Sequence, residues 1–359
     1  MRKLFYVLIV VLATAWSYES YGQMNRRQIV KNSKRQMKYR GKKFGFSKEK
    51  RYNAIGITLN ALNYYGDLAP KPSRLSTDIG FTRPAFGLSF SHRFGPRYTL
   101  AASFMYGTLK GSDAESADKD DMTNGVFRYR RNLSFRNRIK ELSIVAMFDL
   151  FENQSTYISR VSWTPYAYAG IAIFHHNPQA QVPATDLSGV PFENAGQWVD
   201  LQPLGTEGQY LDLPANSSNS GIKPYKRIQP AIPFGIGARF RLNEIMDLGL
   251  EVGFRYLFTD YIDDVSRNYI YVGAFEDELT RALSYRTNEL ATTPPKTPRT
   301  DDLRYPGLGP YDLVDGYGHE NGLGVPPNKR GDNDKDIYTV ISIRFGYIIG
   351  KTFHRAKFR

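Results

Sequence analysis

Eight stretches of this chain alternate apolar with polar or small residues, and the gaps between them alternate short and long. The short gaps run to roughly 4, 12 and 5 residues and the long ones to roughly 15, 28, 53 and 77. A strand of alternating polarity buries one face only. Eight such strands, joined by tight turns at one end and long loops at the other, can close on themselves, and closure is how a sheet crosses lipid without unpaired backbone groups. The pattern predicts an all-β fold, an eight-stranded antiparallel transmembrane β-barrel with long extracellular loops and a basic periplasmic N-terminal arm.

The first stretch sets Ile55, Ile57, Leu59 and Ala61 against Gly56, Thr58 and Asn60, and the second sets Phe86, Leu88 and Phe90 against Gly87, Ser89 and Ser91. A Gly95-Pro96 turn leads to Tyr98, Leu100, Ala102, Phe104 and Tyr106 in the third. The fourth places Leu142, Ile144, Ala146, Phe148 and Leu150 opposite Glu141, Ser143 and Asp149. The fifth, near 165–174, is apolar on both faces. The sixth and seventh meet at a turn near Asn243, and the eighth sets Ile341, Ile343, Phe345 and Tyr347 against Ser342, Arg344 and Gly346. Tyr64, Tyr98, Tyr106 and Tyr256 stand at strand ends, where a membrane barrel carries its aromatic girdles. A soluble sandwich also alternates, with its charges facing water. In a barrel the same charges, Glu141, Asp149, Arg239, Arg241, Glu251, Arg255 and Arg344, face the lumen. Eight strands leave an interior that side chains just fill, so these mixed charges are expected to pair across it and occlude it.

The ends set the compartment. Arg2 and Lys3 precede an apolar run over 4–16, and Ser20-Tyr21-Gly22 offers small residues before a cut at Gln23, which reads as a secretory signal peptide. No later run reaches the length of a spanning helix. The expected organisation is a signal peptide over 1–22, a basic arm over 23–51, the barrel over 52–349 and a basic tail over 350–359. The net charge of +13 belongs to the ends, since 26–51 carries +11 and the last nine residues +4. Arg26, Arg27, Lys31, Lys34, Arg35, Lys38, Arg40, Lys42 and Lys43 are therefore the candidate contacts with an acidic protein surface or with anionic lipid headgroups. The bland reading of the arm is a solvated tail. Nucleic acid is disfavoured, because aromatic interleaving stops at Tyr39, Phe44 and Phe46.

The order of several short motifs is similar to that of a known family. These are Asn63-Tyr64-Tyr65-Gly66-Asp67-Leu68, Arg131-Asn132-Leu133-Ser134-Phe135-Arg136, Thr164-Pro165-Tyr166 with Gly170-Ile171-Ala172, and Asn177-Pro178-Gln179-Ala180. The run from Arg255-Tyr256-Leu257 through Asp260, Asp263 and Asp264 to Val265-Ser266 follows, then Arg330-Gly331-Asp332 and Asp336-Ile337-Tyr338. Together they resemble the PorG-like outer-membrane barrel component of the Bacteroidota type IX secretion system. The resemblance implies a structural, non-enzymatic subunit that contacts a periplasmic ring, with Tyr65, Gly66, Asp67, Asp260, Asp263 and Asp264 as motif residues.

Catalytic and metal patterns are thin. Asp332-Asn333-Asp334-Lys335-Asp336 opens like a calcium loop, but Ile337 and Ile343 occupy the positions where an EF-hand needs Gly and Glu. His175 and His176 are adjacent in a strand and so point to opposite faces, which suits interfacial polar residues better than joint ligation. No G-x-S-x-G elbow occurs, and there is no cysteine. Asp260, Asp263 and Asp264 at the outer rim suit turn capping, with cation binding as the sharper alternative. Arg330-Gly331-Asp332 matches an adhesion tripeptide that occurs often by chance. Phe275, Leu279, Ala282 and Leu283 predict a short amphipathic helix packed on the barrel mouth. No cofactor and no small-molecule substrate is expected. The rivals to the structural role are a barrel hydrolase and a small porin or ligand-binding barrel.

Overall fold

The computed structural model describes residues 46, 50–68, 79–118, 120–121, 125–213, 219–270, 272–287, 289, 330–331 and 334–349. The expected leader and tail lie outside the described residues, as does the basic arm except for residues 46, 50 and 51. No described helix is long and apolar enough to cross a membrane. The strands are β1 (Tyr52–Tyr65), β2 (Arg83–Arg93), β3 (Tyr98–Ser112), β4 (Ser134–Asp149), β5 (Trp163–His175), β6 (Pro178–Gln181), β7 (Trp198–Asp200), β8 (Ile228–Arg241), β9 (Met246–Leu257) and β10 (Ile337–Ile349). Helices α1 (Asp113–Ser116), α2 (Gly125–Arg131) and α3 (Glu278–Ser284) lie in the loops.

Each of the eight long strands pairs antiparallel with its neighbours in the order β1-β2-β3-β4-β5-β8-β9-β10, and β10 pairs back onto β1. The barrel is closed, which excludes the sandwich and removes every sheet edge from lipid. Closure places 94–97, 150–162 and 242–245 at one end and all the long connections at the other. The short strands β6 and β7 were not legible in the alternation. They continue the sheet outward from the top of β4, through Arg136 and Asn137, into the third long loop.

The phase of alternation is the one the sequence predicts. Ile57, Leu88, Phe104, Leu142, Ile171, Ile236, Leu250 and Ile343 all face outward and are exposed, Ile171 to 70%. A soluble protein rarely shows a continuous apolar band of this kind, and here it is the surface that lipid covers. The fifth stretch, ambiguous in sequence, is a full strand with Ala167, Ile171 and Ile173 outside and Tyr166, Tyr168 and Phe174 inside. Inward glycines give those tyrosines room. A Cβ on Gly253 would stand 2.0 Å from the Tyr168 hydroxyl.

Two expectations need correction. Tyr64 does not join an aromatic girdle as Tyr98, Tyr106 and Tyr256 do, because it points inward and is fully buried, against Phe135. And β4 starts at Ser134, several residues before the alternation at Glu141 suggests. In that upper segment Phe135, Asn137 and Ile139 face in while Arg136, Arg138 and Lys140 face out, so the outside is charged and the inside mostly apolar. The strand there has left the apolar band, and the sequence signal inverts.

Candidate functional site

The lumen is filled from end to end by side chains from different strands. At the short-turn end Asp149 is buried between Arg93, at 2.6 Å, and Arg239, at 3.3 Å. Beside it Arg160, from the turn after β4, bonds Asp247 at 2.7 Å and the carbonyls of Asn243, Glu244 and Met246. The next layer joins Arg344 to Glu251 at 2.8 Å, and Tyr166 donates to the same carboxylate at 2.6 Å. Above that, Glu141 accepts from Arg255 Nε at 2.9 Å and from the Tyr338 hydroxyl at 2.5 Å. Six of the seven sequence-predicted lumen residues thus meet in these pairs. Among the described residues Arg241 joins no carboxylate; it donates to the Arg160 carbonyl at 3.0 Å.

Five further members were not read from the sequence as lumen residues. Arg93 and Asp247 continue the polar phase of β2 and β9 and could have been found by extending it. Arg160 carries no periodic signal, and the inward tyrosines Tyr166 and Tyr338 looked like any strand aromatic. Cavities of about 40 and 10 Å³ remain near the short-turn end, lined in part by Tyr52, Arg239 and Asp247. They hold a few waters at most.

Above the ion pairs the lumen becomes an apolar core. Leu62, Phe135, Ile139, Phe174, Leu257 and Val340 form a ring that receives Ile262 and Val265 from the last long loop. The Ile262 carbonyl accepts from Asn137 at 2.6 Å, and its N–H donates to Asp336 at 2.9 Å. The loop after β9 therefore plugs the mouth, bonded to the wall at both its backbone groups.

Tyr64 lies at the centre of this plug. Its hydroxyl is 2.6 Å from Asp263 and 2.9 Å from Asp336. A phenol has one proton to donate, so it can serve one carboxylate only, and the other contact requires a proton on the carboxyl. Gly66 passes directly beside this group, where a Cβ would fall 1.9 Å from the Tyr64 hydroxyl. Asp67 follows, its carbonyl accepting from Arg131 at 2.7 Å. The motif residues Gly66, Asp67, Asp260 and Asp263 thus converge in the mouth with Asp336. Tyr65 is buried at the top of β1.

Over the plug sits a cap of interlocked loops. Arg131 at the end of α2 is buried and grips Asp113 through two nitrogens at 2.8 Å, and also bonds the Arg330 carbonyl at 2.6 Å. Arg330 is buried in turn against Glu207, at 3.0 Å, and the Asp264 carbonyl, at 2.7 Å. Asp264, in the left-handed region at φ 69°, accepts from Thr206 and Tyr225, each at 2.6 Å. His176, Tyr225 and Tyr261 stack in a row, with ring centres 5.7 and 4.7 Å apart.

This arrangement corrects several expectations. Asp260, Asp263 and Asp264 are buried parts of the plug and cap, not exposed rim residues. His176 is fully buried in the cap and not interfacial. Arg330 is fully buried, which agrees with reading the Arg330-Gly331-Asp332 match as chance. The predicted helix forms as α3, with Asp277 capping Thr280 N at 2.9 Å, while Phe275 lies before it. Leu283 of α3 packs on Ala180 and Leu201, so at the mouth the helix rests on the third long loop. The nine basic residues proposed as partner contacts, from Arg26 to Lys43, all lie outside the described residues, as do Asp332 and Asn333. No described group of His, Asp or Glu has the geometry of a metal site.

The cap carries a pH dependence. Burial and mutual repulsion push Asp260, Asp263 and Asp336 far above the usual carboxylate range, and burial brings Asp264 up to about 6 against the pull of Arg330. Each holds a proton in the folded state that the unfolded chain loses above about pH 4, so stability falls as pH rises through the interval above that value. His176 acts oppositely. Burial lowers its pKa to about 4, and its contribution, present above the unfolded value near 6.5, is lost as pH falls. Four carboxyls outweigh one imidazole. The urea concentration that opens the cap, followed by Trp198 fluorescence, is expected to be higher at pH 5 than at pH 8; equal midpoints would contradict the buried protons.

Residues 44–187 match a family model described as a domain of unknown function (DUF6089). No curated protein sequence matches the chain. Among solved structures, the N-terminal β-barrel domain of OprF from Pseudomonas aeruginosa aligns at 9% identity over 83% of this chain and 99% of that one, with a TM-score of 0.29. OprG from the same organism aligns at 12% identity over 84% and 98%, with a TM-score of 0.32. Neisserial surface protein A aligns at 8% identity over 83% and 96%, with a TM-score of 0.31. Likeness this remote carries no argument, and the fold rests on the closed strand pairing described above.

Proposed function

We propose that the chain is a non-enzymatic outer-membrane barrel, with both termini in the periplasm, that serves as a structural or anchoring subunit of a protein secretion machine of the type IX kind. The observation that carries the structural part is the sealed lumen. Among the described residues, three tiers of buried ion pairs under an apolar plug fill the lumen, which favours work at the ends of the barrel over passage through it. Long loops outside and short turns inside follow the usual arrangement of such barrels and support the orientation. The secretion role rests on the motif resemblance, and the +11 arm supplies the charge to hold an acidic surface of a periplasmic ring close to the membrane. Outer-membrane lipid would cover the apolar band.

The reading is tested by pull-down from detergent extract, comparing the full protein with a deletion of 24–50. A secretion ring that copurifies with the intact protein and not with the deletion is the expected result. Failure to copurify with the intact protein ends the secretion role, and equal recovery ends only the role of the arm. In planar bilayers the protein is expected to give no discrete conductance steps. Regular steps would instead favour a small porin.

A further inference from the structure

The outer wall of the barrel is not uniform at the level where the apolar band stops. Register places Tyr106 of β3, Lys140 of β4 and His175 of β5 side by side, directly above the apolar row Phe104, Leu142 and Ile173. From that line upward β4 turns three cations outward at alternate positions, Lys140, Arg138 and Arg136. Alternate residues on one face of a strand are about 7 Å apart, so the column spans about 13 Å. The paired residues near the tops of β1 and β10, Asn63 and Thr339, are uncharged and buried, whereas β4 turns its cations outward.

The column is charged and only partly spent. Arg138 and Lys140 are exposed, and among the described residues neither makes an ion pair. Arg136 is held in place: its guanidinium lies 3.9 Å over the Trp198 ring, and Nε donates to Gln179 at 3.0 Å. Among the described residues its two terminal nitrogens bond nothing, which leaves the fork held by Trp198 and Gln179 with two donors unused. The acids nearby are already engaged. Asp200 accepts from Asn177 and Gln179 and lies 3.5 Å from Arg227, and Glu115 pairs with Lys110.

We propose that Arg136, Arg138 and Lys140 form a binding site for the phosphate groups of a glycolipid headgroup in the membrane leaflet at the long-loop end. Such a lipid places its acyl chains along the exposed apolar rows and its phosphates at their upper border, where these cations stand. A soluble acidic protein would use the charges but not the apolar rows immediately below. Arg136 supplies a preorganised fork suited to two phosphate oxygens, and Lys140, nearest the band, supplies a point charge at its upper border. The inference requires only that the barrel sits in a membrane. It does not depend on the proposed secretion role.

The test uses the full-length protein in detergent, titrated with bis-phosphorylated lipid A and read by native mass spectrometry. Arg138→Gln with Lys140→Gln is expected to weaken binding about tenfold or more. The control pair Arg51→Gln with Arg97→Gln, at the opposite border, should leave it within about twofold. A heat-dependent gel shift confirms that each variant is folded. The unaltered protein gives a second reading, because dephosphorylated lipid A should bind much more weakly. Equal affinity for the two lipids, or an unchanged affinity in the double glutamine variant, would overturn the site. Displacement of the lipid by millimolar inorganic phosphate would also overturn it, by identifying a simple anion site that makes no use of the apolar wall.

Discussion

Glu141→Ala is expected to destabilise the barrel by about 3–5 kcal/mol, the largest effect of any single lumen substitution. Glu141 is 1% exposed and is the acceptor for both Arg255 and Tyr338. Its loss leaves a guanidinium in the lumen facing a cavity, with a tyrosine hydroxyl also short of its acceptor, and a buried charge without its partner costs far more than the pair contributes. Removing both charges separates these two quantities. Glu141→Leu with Arg255→Met should recover most of the loss, because an apolar pair of similar volume needs no partner. Tyr338→Phe should cost only about 1 kcal/mol. Urea midpoints of detergent-solubilised protein measure all three. If the single and double variants lose the same amount, the ion pair is not what holds this tier.

Arg131→Ala is expected to open the cap while leaving the barrel standing. Arg131 joins four segments at once: its own helix α2, Asp113 of α1, the backbone at Asp67 after β1 and the backbone at Arg330 before β10. Without it Asp113 keeps Arg128 at 3.5 Å, a poorer partner, and two carbonyls lose their donor. The cost is again about 3–5 kcal/mol, but it falls on loops that the strands do not need. Limited proteolysis should therefore cut within the long loops of the variant much faster than in the parent, while the heat-dependent gel shift of the barrel stays unchanged. Conductance should remain absent, because the tiers below Ile262 are untouched. A variant whose barrel melts together with its cap would show that the two form one cooperative unit.

How much of this was legible in the sequence varies with height along the barrel. Within the apolar band, the alternation that places Ile57 or Leu142 outside and Glu141 or Glu251 inside is local, and reading it required no partner. Above the band the same β4 reverses its pattern at Phe135, Asn137 and Ile139, so the alternation that marks a lipid-facing strand no longer marks it. The mouth was less legible still. Tyr64 reads as a girdle residue because an aromatic at a strand end usually is one, and only the loop folded over it reveals a buried phenol between two carboxyls. Asp260, Asp263 and Asp264 could be seen as an acidic cluster, yet whether they lie on a rim or under a cap depends on partners such as Thr206 and Tyr225, which carry no periodic signal.

The sequence by itself determined the class of fold, the number of crossing strands, which residues of each strand meet lipid and which charges turn inward. These follow from a period of two and from the need to satisfy every backbone group in a medium without water. The tertiary structure decided which inward charge meets which, that Arg241 bonds a backbone carbonyl, and that the mouth is closed by a plug and cap. Tyr64 and Asp336 are 272 residues apart. A contact of that separation depends on barrel register and on how a loop packs after closure, and neither is written in any local pattern.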